Sequence, residues 1–133
     1  MSTEFEIQIQ QFVNRTIEQQ NRITKGIVDS VIQSVVMESP IDTGKFVGDW
    51  LVGVDDVPTG TTDIYDTQKT GTVVHLQSQV PEQASGHVYT VVNNSDYAWP
   101  LENGHSMQAP YGMVEKTVIQ FERMIQDEVN KSK

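Results

Sequence analysis

The side chains here with the widest chemical range are three histidines, His75, His87 and His105, and the serine after the last of them, Ser106. A nucleophilic serine needs a base whose ring nitrogen reaches its hydroxyl, and an acid that orients the base. Adjacent residues rarely point at one another in that way, and no G-x-S-x-G elbow surrounds Ser106. The histidines show no i, i+3 or i+4 spacing and no H-E-x-x-H pattern, so a metal site would need distant residues to converge. The absence of cysteine excludes a disulfide scaffold, a thiol nucleophile and thiolate metal ligation. No Walker-type loop or G-x-G-x-x-G run is present. The 18 acids could always supply two carboxylates for glycoside hydrolysis, but nothing singles out a pair. The expectation is a chain with no catalytic residues, no cofactor and no metal, with a hydrolase built on Ser106 and His105 as a distant alternative.

Charge narrows the partners. Against the 18 acids stand 9 bases, a net charge of −9, and the bases are scattered singly. Gripping nucleic acid through its phosphates needs clustered Lys and Arg, so that mode is disfavoured. Between positions 49 and 66 lie Asp49, Asp55, Asp56, Asp63 and Asp66 with no base among them. Such a run is either a solvated loop or a surface that repels polyanions. No apolar run approaches the roughly 20 residues that span a bilayer, and the start MSTEFEIQIQQ is acidic and polar, unlike a signal peptide. With 133 residues and 37% hydrophobic content, a single domain over 1–133 with a modest core is expected.

Several elements must position these residues. Residues 4–38 contain no proline, and Ile9, Val13, Ile17, Ile27, Val31 and Val35 recur at helical spacing. A helix of that length spans roughly 50 Å, more than so small a core requires, so part of its stripe is expected to lie against another subunit. The alternative is a helix broken near Gly26 and folded on itself. Thr3, with Glu6 three residues on, suits a capping box, and Pro40 suits the stop. Asp42 and Thr43 suit a turn in which a side chain accepts a backbone N–H, and Gly44 can take a positive φ. Alternation of Phe46, Gly48, Trp50, Val52 and Val54 predicts a strand with Trp50 as core anchor and Asp49 and Asp55 on the opposite face. The run DDVPTGTTDIYDTQKTG has loop composition and is long for a compact domain. Residues 72–80 fit a strand through Val74, Leu76 and Val80. They also fit a short helix through Val73, Leu76 and Val80, with Asp66 as cap and Pro81 as stop, and the helix is preferred. GHVYTVVNN at 86–94 is apolar on both faces, as a central strand would be.

The stretch YAWPLENGHSMQAP at 97–110 reads first as a folding corner, in which Asn93, Asn94 and Ser95 end the strand and Pro110 opens a helix. Val114, Val118, Phe121, Ile125 and Val129, joined by Met113 and Met124, form the apolar stripe expected for that last helix. The order amounts to an α+β fold: a long N-terminal helix, a small, mainly antiparallel sheet with a long loop and a possible short helix, and a C-terminal helix.

Two parts of the chain carry a resemblance. D-T-G at Asp42, Thr43 and Gly44, Trp50, and P-T-G-T-T-D at 58–63 form one. VVNNSDYAWPLENGHSMQAPYGMVEKTVIQFE at 91–122 forms the other. Together they resemble the neck or tail-completion proteins of tailed bacteriophages, also called head–tail joining or minor tail proteins. The family pattern, roughly D-T-G-R, W, N-N, Y-A, L-E-x-G, S-x-Q-A-P-x-G-M-V, falls here on Asp42, Thr43, Gly44, Trp50, Asn93, Asn94, Tyr97, Ala98, Leu101 and Glu102. It continues through Gly104, Ser106, Gln108, Ala109, Pro110, Gly112, Met113 and Val114. Lys45 stands where the pattern has arginine; it keeps the charge and loses the bidentate fork. The resemblance covers roughly 35–121 and lapses in detail over 66–85.

The resemblance implies assembly rather than catalysis: a virion ring of six copies between the portal and adaptor of the head and the tail tube or tail terminator, with DNA passing through. Asp55, Asp56, Asp63 and Asp66 are the candidate channel lining, since an acidic lumen offers phosphates nothing to bind. The alternatives are a tail terminator that caps the tube and a small cytoplasmic adaptor or binding module.

Overall fold

The computed structural model describes residues 3–96, 98, 100 and 112–132. Its elements are α1 (Thr3–Met37), α2 (Lys45–Gly48), β1 (Trp50–Val54), α3 (Thr70–Ser78), β2 (Tyr89–Asn93) and α4 (Met113–Lys131). The α+β class and the terminal helices are as the sequence predicts. So is the short helix over most of 72–80.

α1 runs unbroken through Gly26, so the folded-back alternative does not hold. The glycine is used for close approach: the Glu128 carboxylate of α4 occupies the place a Cβ on Gly26 would take. Among the described side chains, α1 enters the core through its second half, at Val28, Ile32, Val35 and Val36. Capping by Thr3 and Glu6 falls on side chains outside the description. At the other end Ser39, 1% exposed, donates its hydroxyl to the Val35 carbonyl at 2.6 Å. The same oxygen accepts the indole N–H of Trp50 at 2.8 Å. Trp50 is thus the core anchor its position suggests, and its polar tip is satisfied where the helix stops.

Residues 45–48 depart from expectation. They form a helical turn, and β1 begins only at Trp50. Gly44 at φ 84° starts the turn, and the Gly48 N–H closes it onto the Gly44 carbonyl at 3.0 Å. Phe46 and Val47 are therefore buried side by side, and Asp49 points inward at 1% exposure instead of lying on a solvent face. β1 and β2 pair antiparallel, with Trp50 opposite Asn93 and Val52 opposite Val91. Among the described residues the sheet has two strands, and β2 has β1 as its one neighbour there, where a central strand would have two. Its Tyr89 and Val91 pack on the core from one face only.

α4 lies antiparallel to α1. Ser34 and Thr117 share a hydroxyl hydrogen bond of 2.6 Å, Lys116 reaches Glu38 at 2.9 Å, and Gln19 donates to the Ser132 carbonyl at 3.1 Å. The helix begins at Met113, after Gly112 at φ 79°, and Pro110 lies outside the described residues. Only part of its expected core stripe faces the core. Met113 and Thr117 are buried, while Val114, Val118, Phe121 and Ile125 remain exposed. The contact to α1 runs along Met113, Thr117 and Glu128, a seam rotated from the apolar stripe by about one residue's turn of the helix.

Ser39→Ala should lower stability by about 1–3 kcal/mol, because it strands the buried Trp50 N–H. Urea unfolding followed by Trp fluorescence checks this: the midpoint should fall with an unchanged m-value.

Candidate functional site

The first half of the family-like pattern converges on one corner. Lys45 N–H donates to the Thr43 hydroxyl at 3.3 Å, and Gly44 supplies the left-handed turn. A Cβ on Gly44 would lie 2.6 Å from the Asp66 backbone nitrogen, which itself donates to the Gly44 carbonyl at 3.0 Å. One helical turn on, the Lys45 ammonium meets the buried Asp49 carboxylate at 2.6 Å and also donates to the Thr62 carbonyl. Asp49 accepts the Thr62 N–H at 2.9 Å, and the Thr62 hydroxyl donates to the Gly48 carbonyl at 2.7 Å. Asp42 is exposed at the outer side of the turn.

These bonds order the acidic loop. Asn94 adds two more, from its side-chain amide to the carbonyls of Pro58 at 3.1 Å and Gly60 at 3.0 Å. Asn93 donates to the Phe46 carbonyl at 2.9 Å and accepts the Ser95 N–H at 3.1 Å, the turn chemistry expected at the end of β2. Both halves of the pattern therefore hold the same loop.

The four candidate lining acids divide into two kinds. Asp55, at φ 63°, accepts the Val88 N–H at 2.9 Å and meets His87 Nδ1 at 2.6 Å. The Val88 hydrogen bond, then the His87 contact, hold its carboxyl below the usual range. Asp66 accepts the backbone N–H of Gln68, Lys69 and Thr72 and the Thr72 hydroxyl, and so caps α3. Burial alone would raise its pKa, but the Thr72 and neighbouring hydrogen bonds outweigh that and lower it. Both therefore stay anionic while bracing the loop ends. Asp56 and Asp63 are exposed.

Of the remaining pattern residues, Ala98 packs partly against the core, Gly112 takes a positive φ, and Met113 is buried. Tyr97, Leu101, Glu102, Gly104, Ser106, Gln108, Ala109 and Pro110 lie outside the described residues, as does His105. His75 is hydrogen-bonded to Gln79 at 3.0 Å and His87 to Asp55. Among the described residues no group of three or more His, Cys, Asp or Glu is placed to hold a metal ion, and no helix is long and apolar enough to cross a membrane.

A second surface feature is apolar. A groove of about 480 Å³ runs between α1, β2 and α4, floored by Val28, Val35 and Val91 and walled by Val114, Val118 and Phe121. Val118 is 67% exposed and Phe121 42%. At the far end of α1, every described side chain from position 8 to 18 is exposed, including Phe12 and Ile17. The groove carries no set of convergent polar groups of the kind that fixes a small substrate. Beside Ile17, a wider and more polar pocket of about 740 Å³ opens between Asn14, Glu18 and Arg22 of α1 and Glu82, Gln83 and His87.

Comparison with protein-family models, with curated proteins and with solved structures gives no match.

Residue-by-residue reading missed the Lys45–Asp49–Thr62 node. The signal was present in the i, i+4 spacing of Lys45 and Asp49, but the strand pattern claimed Asp49.

Asp66 gives a pH signature. Its folded pKa lies below the unfolded value of about 3.9, so its stabilisation is complete above that pH and is lost as pH falls through the folded pKa. Asp66→Ala should cost about 1–2 kcal/mol at pH 7, as loss of a helix cap does, and the deficit should shrink below about pH 4. Asp29 has the opposite sign. Burial raises its carboxyl despite Lys25 at 3.5 Å, and its Oδ1 is buried without a hydrogen-bond partner. Asp29→Asn should be at least as stable as the parent at pH 7, with any gain fading in acid. Urea midpoints of both variants across pH 3–7 check the two signs together.

Proposed function

We propose that the chain is a structural virion protein that forms a ring, of six copies, at the head–tail interface of a tailed phage. There it completes the tail or joins it to the portal and adaptor and lets DNA pass. The observation that carries this reading is the apolar surface left open on an otherwise acidic, hydrogen-bonded protomer: the exposed start of α1 and the unfilled stripe of α4. Burying a large aliphatic or aromatic side chain contributes about 1.5–3 kcal/mol, so a protomer that leaves several exposed has association energy in reserve.

Two further features support the reading. Gly44 from the first half of the pattern and Asn94 from the second both hold the acidic loop, as a family signature of structural origin would. That loop carries Asp55, Asp56, Asp63 and Asp66, and a net charge of −9 leaves sliding DNA little to adhere to. The partners implied are further copies of the chain, the portal or adaptor on one side and the tail tube or terminator on the other. The implied location is the virion neck.

Disrupting the gene in its phage tests the role. The expected products are DNA-filled heads and tails that fail to join, or tails of defective attachment, with assembly restored by the gene supplied in trans. Normal infectious particles from the disrupted genome would contradict the proposal.

A further inference from the structure

The acidic loop has a cavity of its own. Where the loop meets the start of β1 and α3 lies a hollow of about 250 Å³, lined among others by Trp50, Leu51, Ile64, Tyr65, Asp66 and His75. We propose that this hollow takes an arginine side chain presented by a basic partner protein. Placing that partner at one end of the ring rests on the neck reading; the chemistry of the hollow does not.

Size sets the kind of occupant. The volume falls below the roughly 300–1,000 Å³ of pockets that enclose small molecules. It suits one large side chain reaching in from a second surface, the usual form of an interface anchor.

The walls are held ready. Tyr65 is 62% exposed and Ile64 48%, yet the backbone that carries them is fixed. The Ile64 carbonyl occupies the place a Cβ on Gly48 would take, and the Ile64 N–H donates to the Thr62 hydroxyl at 3.2 Å. Thr62 is tied to Asp49 on one side, and Asp66 is tied to α3 on the other. Two apolar side chains are thus held out to solvent between two braces, so little ordering entropy is lost when a partner covers them. Gly71 leaves the α3 side open: the nearest atom to a Cβ there would be the Asp66 carboxylate oxygen at 3.5 Å.

Charge selects the occupant. The run from 49 to 66 has five aspartates and no base. The two lysines that reach this region are engaged, Lys45 with Asp49 and the Thr62 carbonyl, Lys69 with the Met37 carbonyl at 2.7 Å. Asp66 lines the hollow with its oxygens already occupied by the start of α3, so it contributes its charge across space. Tyr65 and His75 bring aromatic rings to the walls. A guanidinium is weakly hydrated and stacks on such rings, and its aliphatic stem suits Leu51 and Ile64. DNA has the wrong sign for this surface, and so does a second copy of a chain with nine acids in excess of its bases. In a ring, one loop can turn its acids to the channel and this hollow to the neighbouring protein.

Arginine methyl ester is the probe, and citrulline methyl ester, its neutral isostere, is the control. Each is titrated into the isotopically labelled full chain and followed by NMR. Amide shifts at 64–66 and 71–75 should saturate with the arginine ester. Binding should be about tenfold weaker with the citrulline ester and in the variant Tyr65→Ala. Glu122→Lys, at an exposed acid of α4, should leave it unchanged. Circular dichroism verifies the fold of both variants. Equal responses to the two esters, or shifts spread over all the exposed acids, overturn the inference. In the phage, Tyr65→Ala supplied in trans should restore assembly less well than Glu122→Lys; equal restoration overturns the docking role. If the hollow takes the arginine ester but disrupting the gene leaves normal particles, the neck reading fails and the site stands. If disruption blocks head–tail joining but the hollow takes neither ester, the neck reading stands and the site fails.

Discussion

A buried carboxylate holds the corner on which the rest of the fold depends. Asp49 is almost fully withdrawn from water, and an ionised group there is costly unless it is paired and hydrogen-bonded. The Lys45 ammonium and the Thr62 N–H supply that compensation, and both come from segments that would otherwise have little reason to meet. Satisfying Asp49 therefore winds residues 45–48 into a turn, sets where β1 can begin, and ties the middle of a long loop to the start of the sheet. With Gly44 admitting the Asp66 backbone and Asp66 capping α3, one chain of bonds runs from the turn that opens α2 to α3. An acidic loop that composition alone would describe as solvated is braced at four points.

Much of the architecture was legible in the sequence because its signals are local. The periodicity of α1, the positive φ at Gly44, the Trp50 anchor, the Asx chemistry of Asn93 and the capping by Asp66 each follow from a few neighbouring residues. The errors came where one pattern served two structures. Phe46, Gly48 and Trp50 alternate as a strand would, yet the first two belong to a helical turn, because pairing of Lys45 with Asp49 at i, i+4 outweighed the alternation. The apolar stripe of α4 is real, but its position says nothing of which face meets α1. That face was chosen by a small glycine, a hydroxyl pair and Met113. The two-sided apolarity of β2 likewise did not require a strand on each side.

The division of labour across the molecule is consistent. Polar and ionic contacts concentrate at the corner and around the loop, where they specify geometry. Apolar burial serves a core drawn from the second half of α1 and the elements beneath it. Much of what remains apolar and open lies along α1 and α4, the two longest helices, with Val57, Ile64, Tyr65, Val74 and Val88 exposed elsewhere. Rigid helices are suited to present such surfaces, since little ordering entropy is lost when they associate. The proposed ring uses the first set of features to hold an acidic loop in a fixed shape and the second to join subunits.

Cryo-electron microscopy of the neck of the phage particle tests the central claim most directly. The account predicts a ring of copies of this chain between portal and tail tube, with residues 55–66 turned towards the DNA channel. Mature particles whose neck contains no copy of the chain would contradict it.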